Sequence, residues 1–204
     1  LWRELGGSLK GGVRDGAVPA DARQLAEVES PTLAEIVRDI NKFSNNVMAR
    51  QVFLTLGVES GRKPARTEDA DAAVRAWLDG RGLRFPELVL DNGSGLSRRE
   101  RLSAGSLARL LASAWQSPLM PEFIASLPLN AVDGTMRKRL NGNGIAGRTH
   151  IKTGTLEGVK TIAGYVLDKN GRQQIVVFLV NHANAGAAQA AQDALLAWVY
   201  EANP

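Results

Sequence analysis

The sequence predicts an α+β domain in which helices flank an antiparallel sheet. Three observations indicate this class: helical periodicity recurs through residues 31–126, three adjoining strand-like segments fill 148–181, and an Ala-rich helical segment follows at 186–201. Helices followed by a run of strands are typical of α+β domains. With 204 residues, of which 44% are hydrophobic, the chain is long enough to bury a core.

The first thirty residues are glycine-rich and weakly periodic, which predicts short strands and loops. The sequence starts at Leu1 in the middle of what reads as folded sequence. We therefore expect residues 1–30 to be the end of a preceding or inserted region. Residues 31–204 are expected to be the C-terminal part of a domain that is incomplete at its N-terminus.

Helices are expected through most of the following hundred residues. Ser30 and Pro31 resemble an N-cap and a first-turn proline, and apolar residues follow at helical spacing. Acidic residues after Thr67 suit the start of another helix. The predicted helices span 31–42, 46–56, 67–80, 103–115, 121–126 and 134–140, with a short strand at 88–90.

Three strands are predicted at 148–156, 160–168 and 173–181. Between the last two, Asn170 and Gly171 form a strong hairpin signal. The three strands should therefore form an antiparallel meander, and the helix at 186–201 follows it.

Composition excludes several classes of function. The chain has no cysteine, which removes thiolate catalysis, disulfides and cysteine-ligated zinc, and its two histidines make a His-rich metal site improbable. No apolar run of 18 residues is present, so no membrane-spanning helix is predicted. The net charge of +4 permits binding to an anionic polymer, but a solvated basic surface is the favoured interpretation.

Ser44-Asn45-Asn46, between the first two predicted helices, is the first candidate for chemistry. On extended backbone, side chains two residues apart point the same way, so Ser44 and Asn46 could face one cleft. Serine and asparagine are also favoured helix caps, and for this segment alone capping is the favoured interpretation.

The second candidate is Lys152-Thr153-Gly154-Thr155, on the first strand of the meander. A lysine on the inner face of a strand is costly to bury unless it is paired or used. Gly154 would permit close approach of another backbone, and the two threonine hydroxyls could bind the carboxylate of an extended peptide. An exposed lysine that protects an edge strand from aggregation is the alternative interpretation.

A third stretch, DNGSGLSR at 91–98, combines loop-forming glycines with Arg98. Its guanidinium group could bind a carboxylate in a fork geometry, although a turn followed by a surface arginine has the same pattern.

Taken together, these stretches resemble a known family. Ser-Asp-Asn and Lys-Thr-Gly are signature elements of penicillin-binding proteins and class A β-lactamases. The variant with Ser44-Asn45-Asn46, together with DNGSGLSR, SLPLNAVDGTMRKRL and HIKTGTL, resembles the class C low-molecular-mass penicillin-binding proteins. These are the D-alanyl-D-alanine carboxypeptidases of peptidase family S13, of the penicillin-binding protein 4 type.

This resemblance implies a transpeptidase-like fold and a serine enzyme that is acylated by peptidoglycan stem peptides and inhibited by β-lactams. It implies that Ser44 relays a proton to the leaving amine, Asn46 binds the substrate amide and Lys152 supplies positive charge. It also implies substrate contacts by Thr153, Gly154, Thr155 and Arg98. A periplasmic location follows from the resemblance alone, and neither a cofactor nor a metal is implied.

The family's Ser-x-x-Lys nucleophile motif, which precedes Ser-Asn-Asn, is not found in its expected place. Ser60-Gly61-Arg62-Lys63 is the one match, but it follows Ser44, and Gly61 and Pro64 disfavour the helix that would carry it. We therefore expect the nucleophile to lie outside this sequence and the 204-residue chain alone to be inactive.

Four alternatives remain. A histidine-dependent hydrolase lacks its Gly-x-Ser-x-Gly elbow here, and His150 and His182 read as ordinary surface or loop residues. A non-catalytic module of the same fold could bind peptidoglycan or a partner protein. A β-lactamase would need a positioned deacylating water. Nucleic-acid binding has no aromatic-basic interleaving to support it. Oligomeric state and the choice between carboxypeptidase and endopeptidase activity are not indicated.

Overall fold

The computed structural model describes residues 2–12, 15–142 and 144–201. The chain divides between Ser30 and Pro31 into two compact units. In the first unit, the described residues form turns and irregular segments and nearly all are exposed. The short strands predicted for this unit are absent from its described part, because no apolar face there is buried against a partner.

The second unit contains six α-helices and three strands within the described residues, and it confirms the α+β prediction. In chain order the helices are α1 (Leu33–Phe43), α2 (Asn46–Glu59), α3 (Thr67–Gly80), α4 (Ala104–Trp115), α5 (Met120–Ser126) and α6 (Ala188–Glu201). The strands, which lie between α5 and α6, are β1 (Thr149–Leu156), β2 (Val159–Leu167) and β3 (Gln173–Asn181).

Local interactions explain where the helix boundaries differ from the predictions. Thr32, rather than Ser30, caps α1, because its hydroxyl accepts from the amide of Glu35 while the Glu35 carboxylate accepts from the Thr32 amide. Helix α2 continues through Gly57 to Glu59. Gly57 is buried there, and an added Cβ would lie 3.0 Å from the Cβ of Ala65. The glycine thus allows α2 to pack closely against this neighbouring segment and does not end the helix.

Two predicted elements are much shorter in the structure. The helix predicted at 134–140 is a single 3₁₀ turn, Gly134–Met136, preceded by Asp133 in extended conformation. The strand predicted at 88–90 is one isolated bridge between Val89 and Arg101. Neither segment is extended further, because residues 137–140 continue no helical hydrogen-bond series and Val89 has a single bridging partner.

The sheet is the predicted antiparallel meander, in the order β1-β2-β3. The register places Lys152 opposite Ala163 and Gly154 opposite Thr161. In the turn between β2 and β3, the buried Asp168 carboxylate accepts hydrogen bonds from the amides of Asn170 and Arg172. These bonds fix the turn, and hence the pairing of β2 with β3.

Apolar groups cover both faces of the sheet. On one face, Ile162 and Val166 of β2 pack with Leu196 of α6 in a fully buried cluster. On the other, Tyr165 packs with Leu111 of α4 and donates its hydroxyl proton to the Leu111 carbonyl at 2.7 Å. Because residues alternate between faces along a strand, β2 serves both cores at once. Strand β1 joins the first of these clusters through Ile151, which is fully buried.

Candidate active site

The junction between α1 and α2 is the first part of the candidate site. Ser44 ends α1 in the left-handed conformation, with φ of 56°. Asn45 caps α2, since its side chain accepts from the amide of Met48. Capping is therefore carried out by Asn45, which leaves the side chains of Ser44 and Asn46 for other contacts. The chain turns sharply here, instead of running extended as the sequence argument assumed.

Lys152 of β1 reaches this junction across the sheet edge. Its Nζ lies 2.8 Å from Ser44 Oγ and 2.7 Å from the carbonyl oxygen of Thr153. The side chain is partly buried, and loss of solvation lowers the pKa of Lys152 from its ordinary value. A lysine whose neutral form is more accessible, hydrogen-bonded to a serine hydroxyl, is suited to proton transfer.

Asn46 binds the glycine-rich loop that follows α3. Its Nδ2 donates to the carbonyl oxygen of Ser94 at 2.6 Å. The same loop is shaped by Asn92, whose side-chain oxygen accepts from the Ser94 amide at 3.0 Å. Gly93 has φ of +69°, and a Cβ there would overlap the ring of Phe53 in α2. The sequence DNGSG thus forms a tight loop that packs against α2 and places one wall beside Asn46.

These groups surround one cavity of about 420 Å³. Three segments contribute most of its wall: the α1–α2 junction, the loop at 93–96 and the strand at 152–155. The lining residues are Ile40, Asn41, Ser44, Asn45, Asn46, Ala49, Gly93, Ser94, Gly95, Leu96, Lys152, Thr153, Gly154, Thr155 and Thr161. Six of the seven site residues predicted from the sequence are therefore brought together.

The outer edge of β1 is hydrogen-bonded along its first half and open along its second half. Its first half is covered, because the amide of Ile151 donates to Pro128 and the amide of Asn130 donates to Thr149. Since backbone direction alternates with a period of two, the amides of Thr153 and Thr155 point to this same outer edge. In the part of the chain that the structure describes, no backbone group pairs with them. An extended ligand can pair with this half of the strand.

Gly154 has a second role that the sequence did not suggest. A Cβ at this position would overlap Oγ1 of Thr161, the residue opposite it on β2. The missing side chain therefore admits the Thr161 hydroxyl into the cavity wall. Thr161 was missed as a site residue, and the available signal was the antiparallel register, which pairs it with the glycine of Lys-Thr-Gly.

Arg98 is the predicted site residue that lies apart from the cavity wall. Its side chain is exposed, and Nη1 donates to the carbonyl oxygen of Glu157 at 2.7 Å. Glu157 lies in the turn between β1 and β2, just beyond Thr155. In this structure, Arg98 therefore braces that turn rather than presenting its guanidinium group beside Lys152.

Neither histidine lines the cavity. Nδ1 of His150 lies 3.1 Å from the carbonyl oxygen of Ile124, and burial lowers the pKa of this ring. His182 accepts from the backbone amide of Asn184. Among residues 2–12, 15–142 and 144–201, no group of His, Asp and Glu side chains is arranged to hold a metal ion. The lining of this cavity includes one lysine, Lys152, and several hydroxyl side chains.

The fold of this chain is shared by solved structures. The chain is 27% identical to a crystal structure of penicillin-binding protein 4 from Haemophilus influenzae in complex with a β-lactam, with a TM-score of 0.76. That match covers 88% of this chain and 42% of the other. A penicillin G-acylated endopeptidase of Bdellovibrio bacteriovorus is 23% identical and shares the fold, with a TM-score of 0.61. That match covers 80% of this chain and 44% of the endopeptidase chain.

Within the described residues, no helix has the length and apolar character needed to cross a membrane.

Sequence relatives agree with the structural match. A D-alanyl-D-alanine carboxypeptidase of Actinomadura sp. is 37% identical over 200 residues, which are 93% of this chain and 36% of that protein. The chain is also 27% identical to the D-alanyl-D-alanine carboxypeptidase DacB of Haemophilus influenzae, covering 90% of this chain and 39% of the relative. It thus spans less than half the length of these relatives. Because the model of the D-Ala-D-Ala carboxypeptidase 3 (S13) family matches residues 1–202, the chain belongs to that family.

Proposed function

We propose that this chain forms part of a serine-type D-Ala-D-Ala peptidase acting on peptidoglycan stem peptides in the bacterial cell envelope. The observation that carries the proposal is the 2.8 Å contact between Lys152 Nζ and Ser44 Oγ inside a cavity bordered by an open strand edge. This contact joins a proton-transfer pair to a surface on which an extended peptide can lie.

In the proposed reaction, a serine outside this sequence attacks the carbonyl carbon of the penultimate D-Ala. The peptide bond breaks, and the terminal D-Ala leaves as an amine that takes a proton through Ser44, with Lys152 as the neighbouring base and charge. Water then attacks the acyl ester, which releases the shortened peptide and regenerates the serine. The same serine would open a β-lactam ring and stay acylated.

Substrate binding is assigned to the remaining predicted residues. Asn46 would bind the stem-peptide amide, and the hydroxyls of Thr153 and Thr155 would bind the terminal carboxylate. Gly154 would let the strand lie close to the peptide. Arg98 would contact substrate only after leaving Glu157, so its role is the least supported by the geometry.

A second chemical assignment is favoured by the same contact. Ser44 is itself a hydroxyl held by a lysine of lowered pKa, which is the arrangement of a Ser–Lys dyad. If Ser44 were the nucleophile, the 204-residue chain alone could be acylated. The two assignments therefore make opposite predictions for one experiment.

The experiment is incubation with a fluorescent penicillin. We expect no stoichiometric labelling of the 204-residue chain, and labelling of the full-length protein that contains it. In the full-length protein, Lys152→Ala should abolish acylation, whereas Lys138→Ala, at an exposed position, should leave it unchanged. Labelling of the isolated chain that is lost in Ser44→Ala would instead establish Ser44 as the nucleophile. A full-length protein that binds stem peptide but is never labelled would indicate a non-catalytic module. Rapid release of hydrolysed penicillin would indicate a β-lactamase.

A further inference from the structure

A loop that precedes β1 makes contact with both sides of the candidate site. It runs from Leu129 to Met136 and includes the 3₁₀ turn. Thr135 of this loop is exposed, and its Oγ1 lies 2.8 Å from Oγ1 of Thr153. Thr153 is one of the two hydroxyls assigned to the substrate carboxylate, so Thr135 is hydrogen-bonded to a proposed ligand-binding group.

The loop is fixed to the helix that carries Ser44. Lys42, in the last turn of α1, places Nζ 2.9 and 2.7 Å from the two carboxylate oxygens of Asp133 and 2.6 Å from the carbonyl oxygen of Leu127. Oδ1 of Asp133 also accepts from the amide of Leu129 at 2.8 Å. The Lys42 side chain is only 11% exposed, which favours a single bound geometry over a fluctuating surface pair.

The backbone contact beside this ion pair is equally close. Gly134 has φ of +54°, and a Cβ there would lie 2.5 Å from the carbonyl oxygen of Lys42. The loop can therefore approach α1 closely only with glycine at this position. The loop therefore links the two sides of the site. It is bound to Lys42 at one end and to Thr153 at the other. Lys152, next to Thr153, is in turn hydrogen-bonded to Ser44, two residues after Lys42.

The contact between the Thr135 and Thr153 hydroxyls can affect how Thr153 binds a ligand. A threonine hydroxyl donates one proton and accepts through its lone pairs. In the structure without ligand, the Thr153 hydroxyl donates to Oγ1 of Thr135. When Thr153 instead donates to a carboxylate, its oxygen can accept from the Thr135 hydroxyl, and such chained hydrogen bonds strengthen one another. Without Thr135, the Thr153 side chain would have to be ordered by the ligand itself, at an entropic cost.

We propose that Thr135 is a positioning residue, held by the Lys42–Asp133 pair, that orients the Thr153 hydroxyl toward the C-terminal carboxylate of the substrate. This inference rests on the proposed function. It adds a residue for carboxylate selectivity that makes no contact with the scissile bond.

The test compares Thr135→Val with Thr135→Ser in the full-length protein that contains this chain. Valine keeps the shape of the threonine side chain but lacks the hydroxyl, whereas serine retains the hydroxyl. Thr55→Val is the matched control, because Thr55 is exposed on α2 and its hydroxyl donates to the carbonyl oxygen of Gln51, one turn earlier in the same helix. Two quantities are measured: the Thr153 side-chain rotamer, from three-bond couplings, and the affinities for an N-acylated D-Ala-D-Ala peptide and its C-terminal amide.

We expect one Thr153 rotamer in the wild type, in Thr135→Ser and in Thr55→Val, and rotamer averaging in Thr135→Val. The acid peptide should bind about fivefold more weakly to Thr135→Val, which corresponds to one net hydrogen bond, with the amide unaffected. An unchanged rotamer and an unchanged acid-to-amide affinity ratio in Thr135→Val would overturn the inference. If the wild type itself does not favour the acid over the amide, the proposed carboxylate role of Thr153 is wrong, and the inference is overturned with it.

Discussion

The Lys42–Asp133 pair allows a sharp prediction, because its two partners differ in burial. The Lys42 side chain is 11% exposed and the Asp133 side chain 40% exposed. Replacing either residue leaves the other unpaired, but water can reach the carboxylate far more easily than the ammonium group. We therefore expect the two single substitutions to destabilise the fold by different amounts.

The magnitudes follow from the groups left behind. Asp133→Ala leaves a nearly buried ammonium group with one neutral acceptor, the Leu127 carbonyl, and also removes the partner of the Leu129 amide. These losses should lower the free energy of unfolding by about 3 kcal/mol. Lys42→Met leaves a carboxylate that still binds Leu129 and water, and methionine fills much of the lysine volume, so the cost should be about 1.5 kcal/mol.

Urea unfolding of the 204-residue chain, followed by circular dichroism, measures both values, and the double variant completes a thermodynamic cycle. The double variant should be less destabilised than the sum of the singles, because neither charge is then left unpaired. Equal costs for the two singles, or strict additivity in the double variant, would refute the argument from burial. Either result would also weaken the claim that this pair holds the loop against α1.

Two further predictions concern the sheet that carries Lys152. Gly164→Ala should cost more than about 3 kcal/mol or prevent folding, because φ is +153° and the added Cβ would overlap the His150 carbonyl oxygen. Gly171→Ala, with φ of +76° and open space around its Cβ, should cost only about 1 kcal/mol, and urea unfolding compares them. Burial lowers the pKa of His150 in the folded chain. As pH falls below about 6.5, the unfolded chain therefore binds a proton at this residue before the folded chain does, and the free energy of unfolding decreases. His150→Gln should remove this part of the loss between about pH 7.5 and 5.5; an unchanged pH dependence would exclude His150 as its source.

Local sequence was sufficient to predict most of the secondary structure. The helical periodicity, the Asn170-Gly171 turn and the three strand-like segments each depend on interactions within a few residues. The same holds for Ser44-Asn45-Asn46 and Lys152-Thr153-Gly154, which are recognisable because the chemistry of the site is carried by short segments. The strand predicted at 88–90 needed a longer distant partner, and its single bridge to Arg101 left it much shorter than predicted.

Only the tertiary structure joined these segments. The Lys152–Ser44 contact spans 108 residues of sequence, and no local pattern encodes the left-handed turn that aims the Ser44 hydroxyl at β1. The Thr161 hydroxyl enters the wall because strand register places it over Gly154. Thr135 was likewise invisible, because its contact to Thr153 depends on how a loop packs on α1. Residue types determine which reactions the chain can carry out, whereas packing between distant segments sets the ångström-scale distances on which proton transfer and hydrogen bonding depend.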